Sequence, residues 1–139
     1  MRVVVDASIV AAALVRPDGW SAIELSRRDV EWLAPAYLLE ELEEHADRLA
    51  GDAGLTAREF RRRVASLRML RTVPATTIAR AADDPRVKRA ETIDPDDAVY
   101  LATAVATEAD FLWTRDRALL KAFPGLAVAV VPREESDSK

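Results

Sequence analysis

The feature that most constrains the fold is a short run of valines near the start of the chain that ends at a carboxylate. Residues 2–5 (RVVV) precede Asp6, and no polar residue separates the valines. A strand with water on one face alternates apolar and polar side chains, whereas an unbroken β-branched run is typical of a strand covered on both faces. The run therefore predicts a central strand of a parallel sheet, with Asp6 at its carboxyl end.

The rest of the chain alternates between segments with helical spacing of apolar residues and short apolar segments typical of strands. We predict strands over residues 2–5, 31–33, 71–73, 111–113 and 127–131, and helices over residues 8–15, 20–28, 35–49, 56–70, 77–82, 94–107 and 117–122. Strands that alternate with helices favour a parallel sheet with helices on both faces. The predicted fold is therefore an α/β, three-layer α/β/α sandwich with a central, mostly parallel sheet of four or five strands.

Three prolines set predicted helix boundaries. Pro35 suits the first turn of a helix, and Asp94-Pro95 combines an N-cap acid with a proline at the first helical position. Asp84-Pro85 is expected to end the helix before it. The sequence thus predicts that helices begin at Pro35 and Asp94.

The composition limits the kinds of site that the chain can build. The sequence has 139 residues, the usual size of one domain. It has no cysteine and one histidine, so disulfides, thiol nucleophiles and cysteine zinc sites are excluded, and any metal site must be rich in oxygen ligands. We predict a single domain over residues 1–133 and a polar C-terminal tail over residues 134–139.

Neither a targeting segment nor a membrane span is indicated. Asp6 interrupts the N-terminal apolar stretch early, and no small-residue cleavage site with a basic lead-in follows. No apolar run approaches the roughly 20 residues that cross a bilayer. We expect a cytoplasmic protein without membrane contact.

Charge is unevenly distributed along the chain. The net charge is −4, which disfavours phosphate binding by itself. Acids crowd residues 40–44 and 94–97, whereas basic residues cluster at Arg58, Arg61, Arg62, Arg63, Arg68 and Arg71 and again at Arg80, Arg86, Lys88 and Arg89. This segregation suits an acidic centre with a basic approach, and solvated helix faces are an equal alternative.

Four acids are candidates for one site. Asp6 closes the first strand and Asp116 follows the strand over residues 111–113, so both should lie at the carboxyl edge of the sheet, where ligands bind in such folds. Asp97 lies in the first turn of a predicted helix, and Glu41 can reach this edge if its helix packs beside the first strand. Clustered carboxylates repel one another, and a hard divalent cation such as magnesium relieves the repulsion.

Four motifs together resemble the PIN domain, including the toxin nucleases of the VapC type. They are VVVDAS, APAYLLEELEEH, DPDDAVYLATA and FLWTRD, and the resemblance covers nearly the whole chain. It implies that Asp6, Glu41, Asp97 and Asp116 hold Mg²⁺ or Mn²⁺. It also implies an endoribonuclease, a hydrolase that cleaves RNA by metal-activated water and leaves 5′-phosphate and 3′-hydroxyl ends.

The same resemblance implies supporting residues and partners. Ser8 and Thr114 match small polar positions beside the first and last acids, and we expect their hydroxyls to orient those carboxylates. The implied partners are an RNA substrate, a small antitoxin protein that fills the cleft and a second copy of the chain in a homodimer. The RNA target, and the choice between a toxin and a processing nuclease, stay open.

The register of two acidic clusters stays open. We favour Glu41 over Glu40, because Glu41 lies toward the apolar side of its helix. Asp94 is expected to cap a helix and support the site, and Asp96 to lie on the surface, which leaves Asp97 as the ligand. Since repulsion would be relieved, replacing Asp6, Asp97 or Asp116 should weaken metal binding and leave the fold intact or more stable.

Other functions for the sequence are a phosphotransfer protein and a catalytically silent PIN-like binding module. Phosphatases with an aspartate after the first strand use a second aspartate two residues later, where this chain has Ser8. A response-regulator receiver domain, the other phosphotransfer candidate, requires a lysine after a late strand, and Lys121 falls within a predicted helix. Trp20, Trp32 and Trp113 are expected to be core or interface residues rather than platforms for RNA bases.

Overall fold

The computed structural model describes residues 1–133 and places the valine run at the centre of a five-stranded parallel sheet. The sheet order is β3-β2-β1-β4-β5. The strands are β1 (Arg2–Val5), β2 (Glu31–Pro35), β3 (Leu70–Val73), β4 (Phe111–Trp113) and β5 (Ala127–Val128). The tail predicted for residues 134–139 lies outside the described residues.

Helices cover both faces of the sheet, which confirms the predicted three-layer α/β/α fold. One face carries α1 (Ala7–Val15), α2 (Trp20–Leu25), α3 (Tyr37–Glu44), α4 (Ala46–Ala53) and α5 (Ala57–Ala65). The other carries α6 (Ala75–Ala79), α7 (Pro85–Ile93), α8 (Ala98–Ala106) and α9 (Arg117–Ala122). In the described part of the chain, no helix has the length and apolar character needed to cross a membrane.

The central strand explains why the sequence begins with consecutive valines. Val3 and Val5 pack into the core on one face of the sheet, and Val4 packs into the core on the other. All three side chains are fully buried, and burying each contributes roughly 1.5–3 kcal/mol. A polar residue in this run would lie in one of the two cores, so the first polar position is Asp6, where the strand ends.

The predicted helix start at Pro35 is wrong, because Pro35 is the last residue of β2. The next residue, Ala36, donates its N–H to the carbonyl of Val73 in β3. Since successive N–H groups of a strand point to opposite sides, the missing N–H of Pro35 falls on the side of β1, whose pairing with β2 ends at Leu33. The single predicted helix over residues 35–49 is also two helices, α3 and α4, separated at His45.

The structure reverses two predicted helix boundaries, because a helix begins at Asp84, where an end was predicted, and ends at Asp94, where a start was predicted. Asp84-Pro85 begins α7, and the Asp84 carboxylate accepts the N–H of Arg86 at 2.8 Å. Asp94 ends this helix, because the residue before a proline is disfavoured in helical conformation. A turn follows, and α8 begins only at Ala98.

Candidate metal centre

The carboxyl ends of β1 and β4 lie side by side at one edge of the sheet. The chain passes from β1 to β2 and β3 on one side, whereas β4 and β5 lie on the other, so β1 and β4 flank a crevice of the kind that binds ligands in parallel α/β folds. Asp6 follows β1, and its N–H pairs with the carbonyl of Trp113 at the end of β4. Asp116 follows Trp113 after two residues. The structure therefore brings Asp6 and Asp116 to the same edge.

Asp6 is held rigidly in this crevice. Its side chain is buried, Oδ1 accepts the hydroxyl of Ser8 at 2.8 Å and the N–H of Ile9 at 3.2 Å, and Oδ2 accepts the hydroxyl of Thr114 at 2.5 Å. The contact with Ile9 caps α1. Ser8 and Thr114 thus fix the orientation of the Asp6 carboxylate.

Thr114 joins the two strand ends through one hydroxyl. The fully buried side chain donates to Asp6 and accepts the N–H of Asp116 at 3.0 Å. Asp116 caps α9 with Oδ1, which accepts the N–H groups of Ala118 and Leu119 at 2.8 Å and 3.1 Å. The cap occupies Oδ1, so Oδ2 is the oxygen of Asp116 that a ligand can use.

Three aspartates form the tightest acidic group in the described part of the chain. One carboxylate oxygen from each of Asp94, Asp97 and Asp116 lies within 4.8 Å of the others, and all three residues are partly buried. Asp94 also accepts the N–H of Asp97 at 3.3 Å, while Asp96 is exposed. Asp94 therefore closes a helix end, as a capping residue does, and also belongs to the acidic group. The helix that Asp94 closes is α7, whereas the sequence predicted that Asp94 starts the following helix.

The pKa values of this group are shifted by burial, by hydrogen bonding between its members and by repulsion between neighbouring charges. Burial and the charges of Asp94 and Asp6 raise the pKa of Asp97 from 3.8 to about 7. A hydrogen bond shared by Asp94 and Asp116 raises the pKa of Asp94 and lowers that of Asp116. Asp97 therefore keeps its proton up to a pH close to neutral, and a divalent cation can take the place of that proton. Its ligand atoms are all carboxylate oxygens, the ligands that hard cations prefer.

Glu41 reaches the same region from α3. It is partly buried, and its Oε1 accepts the hydroxyl of Tyr100, a buried residue of α8, whereas the neighbouring Glu40 is exposed. Burial, the hydrogen bond with Glu41 and the charges of Glu41, Asp6 and Asp97 raise the pKa of Tyr100. Asp6 and Glu41 lie outside the group of three whose oxygens are within 4.8 Å. The four predicted ligands thus surround one crevice without all being in contact.

Comparison with protein families assigns the chain. The family model described as the PIN domain matches residues 4–133. The chain belongs to the PIN domain family. Among solved structures, it resembles a chain of the crystal structure of VapBC2 from Rickettsia felis bound to a DNA fragment from their promoter. The identity is 15%, the TM-score is 0.65, and the match covers 91% of this chain and 96% of that chain, which supports the fold. No curated protein matches the sequence.

The sequence predicted that clustered arginines form a basic approach to the acidic site. In this PIN domain, two of those arginines lie away from the acidic crevice. Arg63 donates to the carbonyl of Leu14, near the end of α1, and Arg71 pairs with Glu31 at the start of β2. Because α1 begins at the acidic edge and runs away from it, and β2 begins at the opposite edge, both arginines lie toward the far end of the sheet. The basic residues beside the acids in sequence are Arg115 and Arg117, which flank Asp116.

Sequence reasoning assigned no role to Tyr100 or Arg115 and gave Asp94 only a supporting one. The signal for Tyr100 was its spacing, because it lies three residues after Asp97, and residues three apart lie on the same side of the helix predicted over residues 94–107. The signal for Arg115 was its position between Thr114 and Asp116. Neither signal is specific without the fold.

Proposed function

We propose that this PIN domain is a ribonuclease that requires Mg²⁺ or Mn²⁺ and that Asp6, Glu41, Asp97 and Asp116 are its ligand set, with Asp94 as a further ligand or supporting acid. The observation that carries the proposal is the group of three aspartates with a raised pKa at Asp97. Such a group has a strong electrostatic preference for a divalent cation.

Some residues of the crevice would bind the metal, and others would orient the carboxylates that bind it. Asp6 is fixed by Ser8 and Thr114, and Glu41 by Tyr100, so these two carboxylates are already oriented. The chemistry supplied by a cation bound there is activation of water and stabilisation of the charge that develops on a phosphodiester. Thr114 links the ends of β1 and β4, because its one hydroxyl donates to the Asp6 carboxylate and accepts the backbone N–H of Asp116.

The proposed partners follow from the resemblance to toxin nucleases of the VapC type. The similar structure is of VapBC2 bound to promoter DNA, and its fold matches this chain over most of both lengths. We therefore propose that the chain is the toxin of a toxin–antitoxin pair in the cytoplasm, with RNA as substrate, a small antitoxin as inhibitor and a homodimer as the working form.

The direct test is cleavage of RNA by purified protein with Mg²⁺, with Mn²⁺ and with EDTA. We expect cleavage only with the metals and its loss in Asp6→Asn, since this change removes one negative charge and keeps the side-chain shape. Asp96→Asn is the matched control, because Asp96 is an exposed acid beside the crevice. Calorimetric titration with Mn²⁺ should show binding to the wild type and to Asp96→Asn, and weaker binding to Asp6→Asn.

Two results would contradict the proposal. If the wild type binds Mn²⁺ and leaves every RNA intact, the chain is a PIN domain without ribonuclease activity. If Asp6→Asn cleaves RNA as fast as the wild type, the carboxylates are not the metal ligands that we assign.

A further inference from the structure

An exposed tryptophan packs against Trp113, the last residue of β4, from which the chain continues to Asp116. Trp20 is 47% exposed, whereas Trp32 and Trp113 are 1% and 0% exposed. The sequence predicted that all three would be core or interface residues, and two of them are core residues. Helix α2, which begins at Trp20, also exposes Ile23, while Leu25 is buried. Aromatic rings supply large contact areas at interfaces, and Trp20 and Ile23 together place apolar surface of α2 in contact with solvent.

Two contacts fasten the start of α2 to the chain that leaves β4. The Trp20 ring meets the Trp113 ring edge-on, with centroids 5.5 Å apart and planes at 89°. The next residue, Ser21, is buried, and its hydroxyl accepts the Arg115 guanidinium at 3.1 Å. We call Trp20 and Arg115 together the flanking surface. Thr114, which lies between Trp113 and Arg115, is the residue that binds Asp6.

The flanking surface has a charge opposite to that of the crevice. Arg115 is exposed, and none of the ion pairs among the described residues neutralises it. Its contact with Ser21 restrains the side chain, so less conformational entropy is lost when it binds a ligand. The crevice repels phosphates until a cation is bound, whereas Arg115, one residue from Asp116, attracts them without one.

We propose that the flanking surface binds single-stranded RNA beside the bond to be cleaved, with a base stacked on Trp20 and a neighbouring phosphate on Arg115. This inference rests on the proposed function and adds the residues that hold the substrate. Aromatic rings next to a cation are the usual means of binding single strands, and stacking accepts every base. The flanking surface therefore contributes affinity with little sequence preference.

Tryptophan fluorescence tests the position of the RNA directly. Trp32 and Trp113 are buried, so acrylamide quenching reports mainly on Trp20. The probe is a short single-stranded RNA of mixed sequence with phosphorothioate linkages, which slow its cleavage, in the presence of Mg²⁺. We expect bound RNA to protect Trp20 from acrylamide. Quenching that stays unchanged at saturating RNA would overturn the inference, as would protection that grows with protein concentration without RNA, since a second copy would then cover Trp20.

Binding measurements separate the two contacts. Trp20→Ala should weaken RNA binding roughly tenfold, and Trp20→Phe, which keeps an aromatic ring, should restore most of the loss. Arg115→Gln should lower the slope of log Kd against log salt by about 0.7, the contribution of one phosphate contact in a single strand, and Arg115→Lys should restore the slope. Arg28→Gln is the control, because Arg28 is exposed and lies just before the start of β2, at the edge of the sheet opposite the crevice. If Arg28→Gln lowers the slope and Arg115→Gln does not, the assignment is wrong.

The outcomes distinguish this inference from the proposed function. If the wild type cleaves RNA and the Trp20 and Arg115 variants bind it with unchanged affinity and salt dependence, only the flanking surface is wrong. If the wild type neither cleaves nor binds RNA, both proposals fail.

Discussion

Replacing Asp97 by asparagine is expected to stabilise the metal-free protein. Burial and the charges of Asp94 and Asp6 raise the pKa of Asp97 from 3.8 to about 7. At about 1.4 kcal/mol for each pH unit, this rise sets an upper limit of roughly 4 kcal/mol on the cost of charging Asp97 in the folded protein. Because the crevice is partly open to water and its acids share protons, we expect Asp97→Asn to raise the free energy of unfolding by about 1–3 kcal/mol at pH 8.

The pH dependence of this gain has a definite sign. The pKa of Asp97 is higher in the folded than in the unfolded chain, so its favourable contribution is complete below pH 3.8 and is lost as the pH rises through about 7. The asparagine variant has no such group. The gain in stability of Asp97→Asn over the wild type should therefore be small near pH 3.8 and reach its full size above about pH 7.

Urea denaturation in EDTA, at about pH 5 and about pH 8, measures this advantage. Asp96→Asn is the control and should change stability little at either pH, because Asp96 is exposed. Added Mg²⁺ should stabilise the wild type more than Asp97→Asn, since a ligand stabilises the state that binds it. If Asp97→Asn is less stable than the wild type by the same amount at both pH values, Asp97 has a structural role and the argument from repulsion is wrong.

Substitutions at three further positions test how the crevice is built. Tyr100→Phe removes the hydroxyl bound to Glu41 and should weaken Mn²⁺ binding in calorimetry with little change in the melting temperature; unchanged Mn²⁺ affinity would mean that Tyr100 does not position Glu41. Thr114→Val deprives buried Asp6 of a donor and should lower the free energy of unfolding in urea by about 1–3 kcal/mol, whereas unchanged stability would contradict the bridging role. Asp116→Ala should lose about 1 kcal/mol of capping energy that Asp116→Asn keeps, while Mn²⁺ binding weakens in both; equal melting curves for these two variants would exclude the cap.

The central strand and its carboxylate could be predicted because their signals are local. Three consecutive valines are compatible with few environments other than a strand buried on both faces, and the edge rule for parallel sheets then brings Asp6 and Asp116 together. The hydrogen bonds of these two acids could not be predicted. Asp6 and Asp116 both accept backbone N–H groups, so replacing either one also removes a stabilising hydrogen bond. The expectation that removing an acid stabilises the fold therefore applies only to Asp97.

The membership of the acidic group depends on a turn that the sequence does not specify. Asp94-Pro95 has the composition of a helix start, and the same pair also suits a helix end, because a proline disfavours helical conformation in the residue before it. The choice is made by α7, which the sequence analysis missed by interpreting Pro85 as a helix breaker. Once α7 ends at Asp94, the turn over residues 95–97 brings Asp94 and Asp97 onto Asp116.

Long-range placement likewise decides where charged and aromatic residues lie relative to the crevice. Arg63 and Arg71 are close to other basic residues in sequence, yet hydrogen bonds to Leu14 and Glu31 hold them near the far end of the sheet. Trp20 lies at the start of α2, where helical spacing alone does not reveal that its ring packs on Trp113. Such contacts follow from the strand order and not from local patterns.

The contact between Thr114 and Asp6 has a consequence for protein synthesis. The two residues are 108 positions apart, so Asp6 leaves the ribosome long before its partner is made. Strand β4 must insert beside β1 before the first aspartate acquires its orientation, and α9 must start before Asp116 acquires its own. A nascent chain that ends before this point lacks the assembled crevice, so we expect no nuclease activity to threaten the messenger RNA from which the protein is being translated.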